Sequence, residues 1–130
     1  MSACLDSHVL LWWALDPEKL SDQARDYCQR MTVHAGCVSA ISIWELGLKV
    51  KNGHLDIGIS IEEFTRRIKR TGEIEIVPVD ETVWMKNQEL EWDHRDPADR
   101  TIVATAILRG VPLLTKDEAI RSFAPAKAIW

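Results

Sequence analysis

The cysteines of this chain cannot do what paired cysteines do. Only Cys4, Cys28 and Cys37 are present, an odd number with no C-x-x-C pair, which argues against a disulfide framework and a zinc knuckle. Cys4 and Cys37 sit inside short apolar runs, as small core hydrophobes do, and unpaired thiols fit a reduced cytoplasmic compartment. Long apolar runs are missing too. The longest near the start, residues 9–15, has acids on both sides and no basic segment ahead of it, so neither a membrane span nor a signal peptide is expected. There is no internal repeat, no low-complexity stretch and no linker rich in Pro, Gly or Ser. Excess positive charge is also absent. The formal net charge of -4 is not the footprint of a protein that holds nucleic acid by bulk electrostatics, where a basic domain is expected.

What is present suffices for one domain spanning residues 1–130. A chain of this size buries about two-thirds of the surface its unfolded form exposes, so a core forms without staples, and the 46% apolar fraction is ordinary for a globular protein. Local basic runs exist at Arg66, Arg67, Lys69 and Arg70, which read as a solvated helix face, and again at Arg95 and Arg100.

Short β-rich or apolar runs at residues 3–5, 36–39, 73–79, 111–115 and 127–130 predict strands. Between them, helices are predicted over residues 7–15, 21–33, 40–51, 61–70, 81–91, 97–109 and 118–123. Ser21 is an expected N-cap, Asp96-Pro97 opens the clearest helix, and Gly72 and Gly110 are expected stops. Alternating strands and helices imply an α/β fold with a mostly parallel sheet of four or five strands, covered on both faces. Ligands of such sheets sit outside the carboxyl ends of the strands. Asp6 and Asp117 fall just past two of those ends.

Two further acids are in phase with apolar stripes. Asp99 precedes Ile102, Val103 and Ala106 by three, four and seven residues, and Glu45 lies four after Ile41 and three before Leu48. If Asp6, Glu45, Asp99 and Asp117 converge, repulsion is severe, since two like charges 5 Å apart at an effective dielectric near 20 repel by roughly 3 kcal/mol. Buried anions must be paired, protonated or metal-bound. No Lys or Arg at comparable phase neutralises all four, whereas a hard divalent cation such as Mg2+ or Mn2+ does.

Each acid also has a structural reading. Ser42-x-x-Glu45 and Thr115-x-x-Glu118 match capping boxes, Asp96 and Asp6 suit N-caps, and Asp117 suits a first helical turn. His8 and His94 lie beside the acids, either orienting a phosphate or serving as polar residues at element ends. Of the six tryptophans, Trp12 and Trp13 are adjacent on one helix and cannot both face one core, which points one of them toward a homodimer contact.

In order along the chain, Leu5-Asp6-Ser7-His8-Val9-Leu10-Leu11-Trp12, Ser39-Ala40-Ile41-Ser42-Ile43-Trp44-Glu45-Leu46, His94-Arg95-Asp96-Pro97-Ala98-Asp99-Arg100 with Ile102-Val103-Ala104, and Leu113-Leu114-Thr115-Lys116-Asp117 resemble the motifs of the PIN-domain family. Within that family the chain resembles the VapC-type toxins of prokaryotic toxin–antitoxin pairs, over nearly its whole length. The resemblance implies a three-layer α/β/α PIN fold, Mg2+- or Mn2+-dependent endoribonuclease activity on RNA, and inhibition by a cognate antitoxin. By position, Asp6, Glu45, Asp99 and Asp117 map onto the family's acids, with Ser7 and Thr115 as neighbouring hydroxyls. Asp96 competes with Asp99 for the third place, and Asp99 matches the pattern better. Bound cations would reverse the sign of the charge at such a site, which reconciles it with a net negative chain.

Three other readings remain open: a PIN-type nuclease of RNA processing, a receiver-like domain with an acidic Mg2+ pocket, and an interaction domain whose acids are only caps. The receiver reading requires a phosphoryl-accepting Asp after a middle strand. Asp56 has no strand run before it.

Overall fold

Seven helices begin at an Asp or Ser whose side chain accepts a hydrogen bond from a backbone N–H of the first turn. That chemistry sets most of the element boundaries in the computed structural model, which describes residues 2–130. In chain order the elements are β1 (Cys4–Leu5), α1 (Ser7–Leu15), α2 (Asp22–Arg30), β2 (Gly36–Ser39), α3 (Ala40–Lys51), α4 (Ile61–Thr71), β3 (Ile74–Val77), α5 (Glu81–Glu89), α6 (Pro97–Arg109), β4 (Leu113–Leu114), α7 (Glu118–Arg121) and β5 (Ala128–Ile129). Gly72 and Gly110 end α4 and α6 at φ 68° and 67°, left-handed values that only glycine adopts without strain.

All strand pairings are parallel, in the order β3-β2-β1-β4-β5. The order reverses at β1, which has β2 on one side and β4 on the other. Alternate residues divide the core in two. Leu5, Val38, Ile74 and Leu114 face Val9, Leu10, Ala24, Leu46, Phe64 and Ile68 of α1 to α4. Cys4, Cys37, Val77 and Leu113 face Ile102, Val103 and Ala106 of α6 with Ile120 of α7. The result is the expected three-layer α/β/α sandwich.

Several elements are shorter than their sequence patterns. The second helix stops at Arg30 rather than near residue 33, because Met31 and Val33 bond to carbonyls three residues back and tighten the last turn. Strand β3 ends at Val77, since Pro78 has no N–H to continue the ladder. Helix α5 stops at Glu89 because Leu90 is extended, and α7 is a single turn. Asp56 lies in coil between α3 and α4, where its Oδ1 accepts from Gly58 N–H. No strand leads into it, so the receiver reading loses its phosphoryl acceptor.

Candidate active site

The reversal of strand order opens a crevice beyond the carboxyl ends of β1 and β4, where open α/β sheets bind ligands. Asp6 follows β1 directly and is 6% exposed. Its Oδ1 caps α1 by accepting from Val9 N–H at 2.9 Å, and its Oδ2 accepts the hydroxyl proton of Thr115, just past β4. Burial pushes the Asp6 carboxyl above its ordinary pKa and Asp117 adds to the rise, while Thr115, Val9 and His8 oppose it.

Asp117 caps α7 through Oδ1 on Ile120 N–H at 3.1 Å, and its own N–H donates to Thr115 Oγ1 at 3.1 Å. Thr115 therefore joins the two acids, donating to one and accepting from the other. Next to Asp6, Ser7 Oγ donates to Glu45 Oε1 at 2.5 Å and lies 2.9 Å from the buried Ser42 hydroxyl. Asp96 caps α6, accepting from Ala98 and Asp99 N–H through Oδ1. One turn on, Asp99 Oδ2 meets His94 Nε2 at 2.8 Å. Burial raises the Asp99 pKa, His94 lowers it, and Asp96 and Asp117 raise it further.

Asp6, Glu45, Asp96, Asp99 and Asp117 line one cleft of about 550 Å3, together with Ser7, His8 and Lys116. The four acids singled out from the sequence thus line one cleft, and Asp6, Asp96 and Asp117 also cap helices that begin there. In Asp96 and Asp117 one oxygen caps a helix while the other has no protein hydrogen-bond partner among the described residues. Glu45 and Asp99 likewise keep one oxygen without a partner. Three helix N-termini (α1, α6 and α7) begin at the cleft, and their dipoles favour negative charge there. No Lys or Arg nitrogen comes within ion-pair distance of these acids among the described residues.

Among the described residues, no group of three or more His, Cys, Asp or Glu side chains is placed so as to hold a metal ion by itself. The donor chemistry suits a hydrated hard ion, because Mg2+ keeps several waters and uses only one or two carboxylates. The unpartnered oxygens of Glu45, Asp99 and Asp117 are of that kind.

Some local expectations change. Glu45 reaches the site beside Ser42 and Leu46, the buried face of α3, rather than in phase with Leu48, which is exposed. Neither capping box forms. Ser39, not Ser42, caps α3, and Asp117, not Thr115, caps α7. Trp12 and Trp13 both pack, half-buried, against one core, and Trp12 lies 5.6 Å from the Trp130 ring. The premise for placing one of them at a subunit contact therefore fails. Trp44 and Trp84 are the exposed ones, at 60% and 45%. Arg66 and Arg67 pair with Glu63 on an exposed face of α4, as expected of a solvated run. Arg100 is not a surface charge: it binds backbone carbonyls around His94. Ser42 and Arg100 were missed as site supports, and the signal for Ser42 was Ser39 ahead of it as the better cap.

The PIN domain family model matches residues 3–125. The chain is 32% identical over 122 residues to Ribonuclease VapC22 of Mycobacterium tuberculosis, covering 91% of this chain and 88% of that protein. Similar folds occur in a toxin-antitoxin complex from Klebsiella pneumoniae (TM-score 0.68, 20% identity, covering 99% of this chain and 97% of that one). They occur also in VapBC2 from Rickettsia felis, solved bound to a DNA fragment from its promoter (TM-score 0.70, 14% identity, covering 99% and 98%).

Proposed function

The chain belongs to the PIN-domain family, and on that premise we propose that it is a divalent-metal-dependent endoribonuclease, the toxin of a VapBC-type toxin–antitoxin pair. One observation carries the reading: Asp6, Glu45, Asp99 and Asp117 line a single cleft at the strand-order reversal with no Lys or Arg paired to them. The similarity to a protein named as a VapC ribonuclease supports the choice of RNA, and the likeness of fold to chains in toxin–antitoxin complexes supports an antitoxin partner.

Asp6, Glu45, Asp99 and Asp117 would hold a hydrated Mg2+ or Mn2+ among them, directly or through the ion's waters, with Asp96 beside them. When bound, such an ion supplies charge neutralisation and Lewis-acid activation for phosphodiester hydrolysis. The chain's own part is to hold the carboxylates still. Thr115 and Val9 orient Asp6, Ser7 orients Glu45, and Ile120 N–H orients Asp117. Lys116 lies in the same cleft, where a cationic group suits a phosphate, and the His8 ring lines it too. No helix among the described residues is long and apolar enough to cross a membrane. The free cysteines suit a reduced, cytoplasmic compartment, and the proposed nuclease acts as a single domain.

Incubating the purified chain with total RNA, in Mn2+ or in EDTA, tests the reading. Cleavage is expected with Mn2+ only, and equal cleavage in EDTA overturns the metal mechanism. Release of growth arrest by co-expression of an adjacent small gene separates a toxin from an RNA-processing nuclease.

A further inference from the structure

Residues 90–96, between α5 and α6, form no helix or strand, yet every N–H of one guanidinium is spent on that segment and the end of α5. Arg100 Nη1 donates to Trp92 O at 2.5 Å and His94 O at 3.1 Å. Its Nη2 donates to Asn87 O at 2.7 Å and Leu90 O at 3.0 Å, and its Nε to Asn87 Oδ1 at 3.2 Å. Arg has five donors in a rigid fork, and all five are used. The Trp92 ring lies 4.7 Å from the His94 ring and stacks at 4.7 Å on Phe123, with 9° between the latter two planes. His94 is thus held by its backbone through Arg100 and by its ring against Trp92.

The held imidazole ends on a single group. His94 Nε2 lies 2.8 Å from Asp99 Oδ2. When Asp99 is ionised its carboxylate only accepts, and the Nε2–H tautomer of His94 is the one that bonds to it. The last torsion of an aspartate is broad and nearly two-fold, so a donor fixed on Oδ2 selects the orientation in which Oδ1 stays free of protein partners. Asp99 feels repulsion from both Asp96 and Asp117, so without that donor its carboxyl has reason to turn away.

Resting on the reading of Asp99 as a site acid, we propose that His94 is a positioning residue that fixes the Asp99 carboxylate for a divalent cation, with Arg100 and Trp92 locking His94 in place. Supports of this kind are worth about 10–100-fold in metal affinity or activity. Arg100 then acts at one remove, as the clamp that converts a coil segment into a rigid mount.

The experiment compares the intact chain with His94→Ala, His94→Gln and Arg100→Lys, measuring Mn2+ affinity by calorimetry alongside kcat and KM for RNA cleavage. His94→Ala is expected to weaken Mn2+ binding and lower kcat, each about 10-fold or more, with KM little changed. His94→Gln offers an amide N–H near the position of Nε2 and is expected to recover most of both losses. Arg100→Lys has three donors in place of five and is expected to speed amide exchange over residues 90–95 while weakening Mn2+ binding in the same direction. Unchanged Mn2+ affinity and kcat in His94→Ala overturns the proposal, as does a His94→Gln variant no better than His94→Ala. Failure of the functional reading itself is visible earlier and separately: the unsubstituted chain then binds no Mn2+ and cleaves RNA equally in EDTA.

Discussion

The Thr115 hydroxyl donates to Asp6 Oδ2, joining two residues 109 positions apart. It also accepts from Asp117 N–H, so one hydroxyl sets the spacing of two acids across the β1–β4 seam. Thr115→Val keeps the shape and removes the hydroxyl, leaving a buried carboxylate oxygen unsatisfied. The expected cost is about 1.5–3 kcal/mol, read by denaturant unfolding, and Thr115→Ser is expected to stay close to the parent. Equal stability of the Val variant and the parent contradicts this role.

Asp99 and Asp96 are separable by substitution. Burial and its acidic neighbours disfavour the charged form of Asp99, so Asp99→Asn is expected to be at least as stable as the parent in EDTA. It is also expected to shrink the stabilisation by Mn2+, which for a site at 100 times its Kd is about 2.7 kcal/mol. Asp96→Asn keeps its helix cap, since Asn caps about as well as Asp, and is expected to keep the metal response. Thermal melts with and without Mn2+ decide, and the reverse pattern assigns the third acid to Asp96.

Asp6 makes the metal-free protein sensitive to pH in a defined direction. Its pKa is raised in the folded state, chiefly by burial, so the native protein holds a proton that the unfolded chain releases. Its contribution to stability is complete below the unfolded Asp value of about 3.9 and is lost as pH rises through the higher folded value. In EDTA, Asp6→Asn is expected to flatten the decline in melting temperature over that acid range. An identical pH profile for variant and parent refutes this assignment.

An antitoxin that blocks the cleft must match carboxylates, and Arg forks do so bidentately. If the chain is the toxin proposed above, replacing basic residues of the antitoxin's contacting segment by Gln is expected to weaken inhibition of RNA cleavage. Inhibition that persists unchanged means that the partner covers another surface.

Trp12 and Trp13 are core supports. Replacing Trp13 by Ala, or Trp12 by Ala, is expected to cost about 2 kcal/mol each from lost packing, with the sedimentation coefficient of the folded chain unchanged. A shift in oligomeric state without loss of stability restores the subunit-contact reading.

Local chemistry made much of this protein legible. The caps at Asp6, Ser21 and Asp96 and the stops at Gly72 and Gly110 act within a few residues of themselves, so their helices were placed closely in advance. Asp99 was visible because Ile102 and Val103, three and four residues on, are buried on the same stripe. Of the two residues in phase with Glu45, Ile41 packs against the core while Leu48 is exposed, because a helix wedged between others has more than one apolar side and periodicity cannot rank them.

What the sequence by itself determined was therefore which stretches are helix or strand, and which carboxylates begin helices or share an apolar stripe. Only the tertiary structure decided that β4 lies against β1, which brings Thr115 and Asp117 to Asp6, and that α3 sets Glu45 on Ser7. It also decided that Arg100 turns inward and Trp44 outward. The physical reason is range. Capping and periodicity are energies between residues one to four apart, whereas strand order is settled by which arrangement buries both faces of the sheet at once.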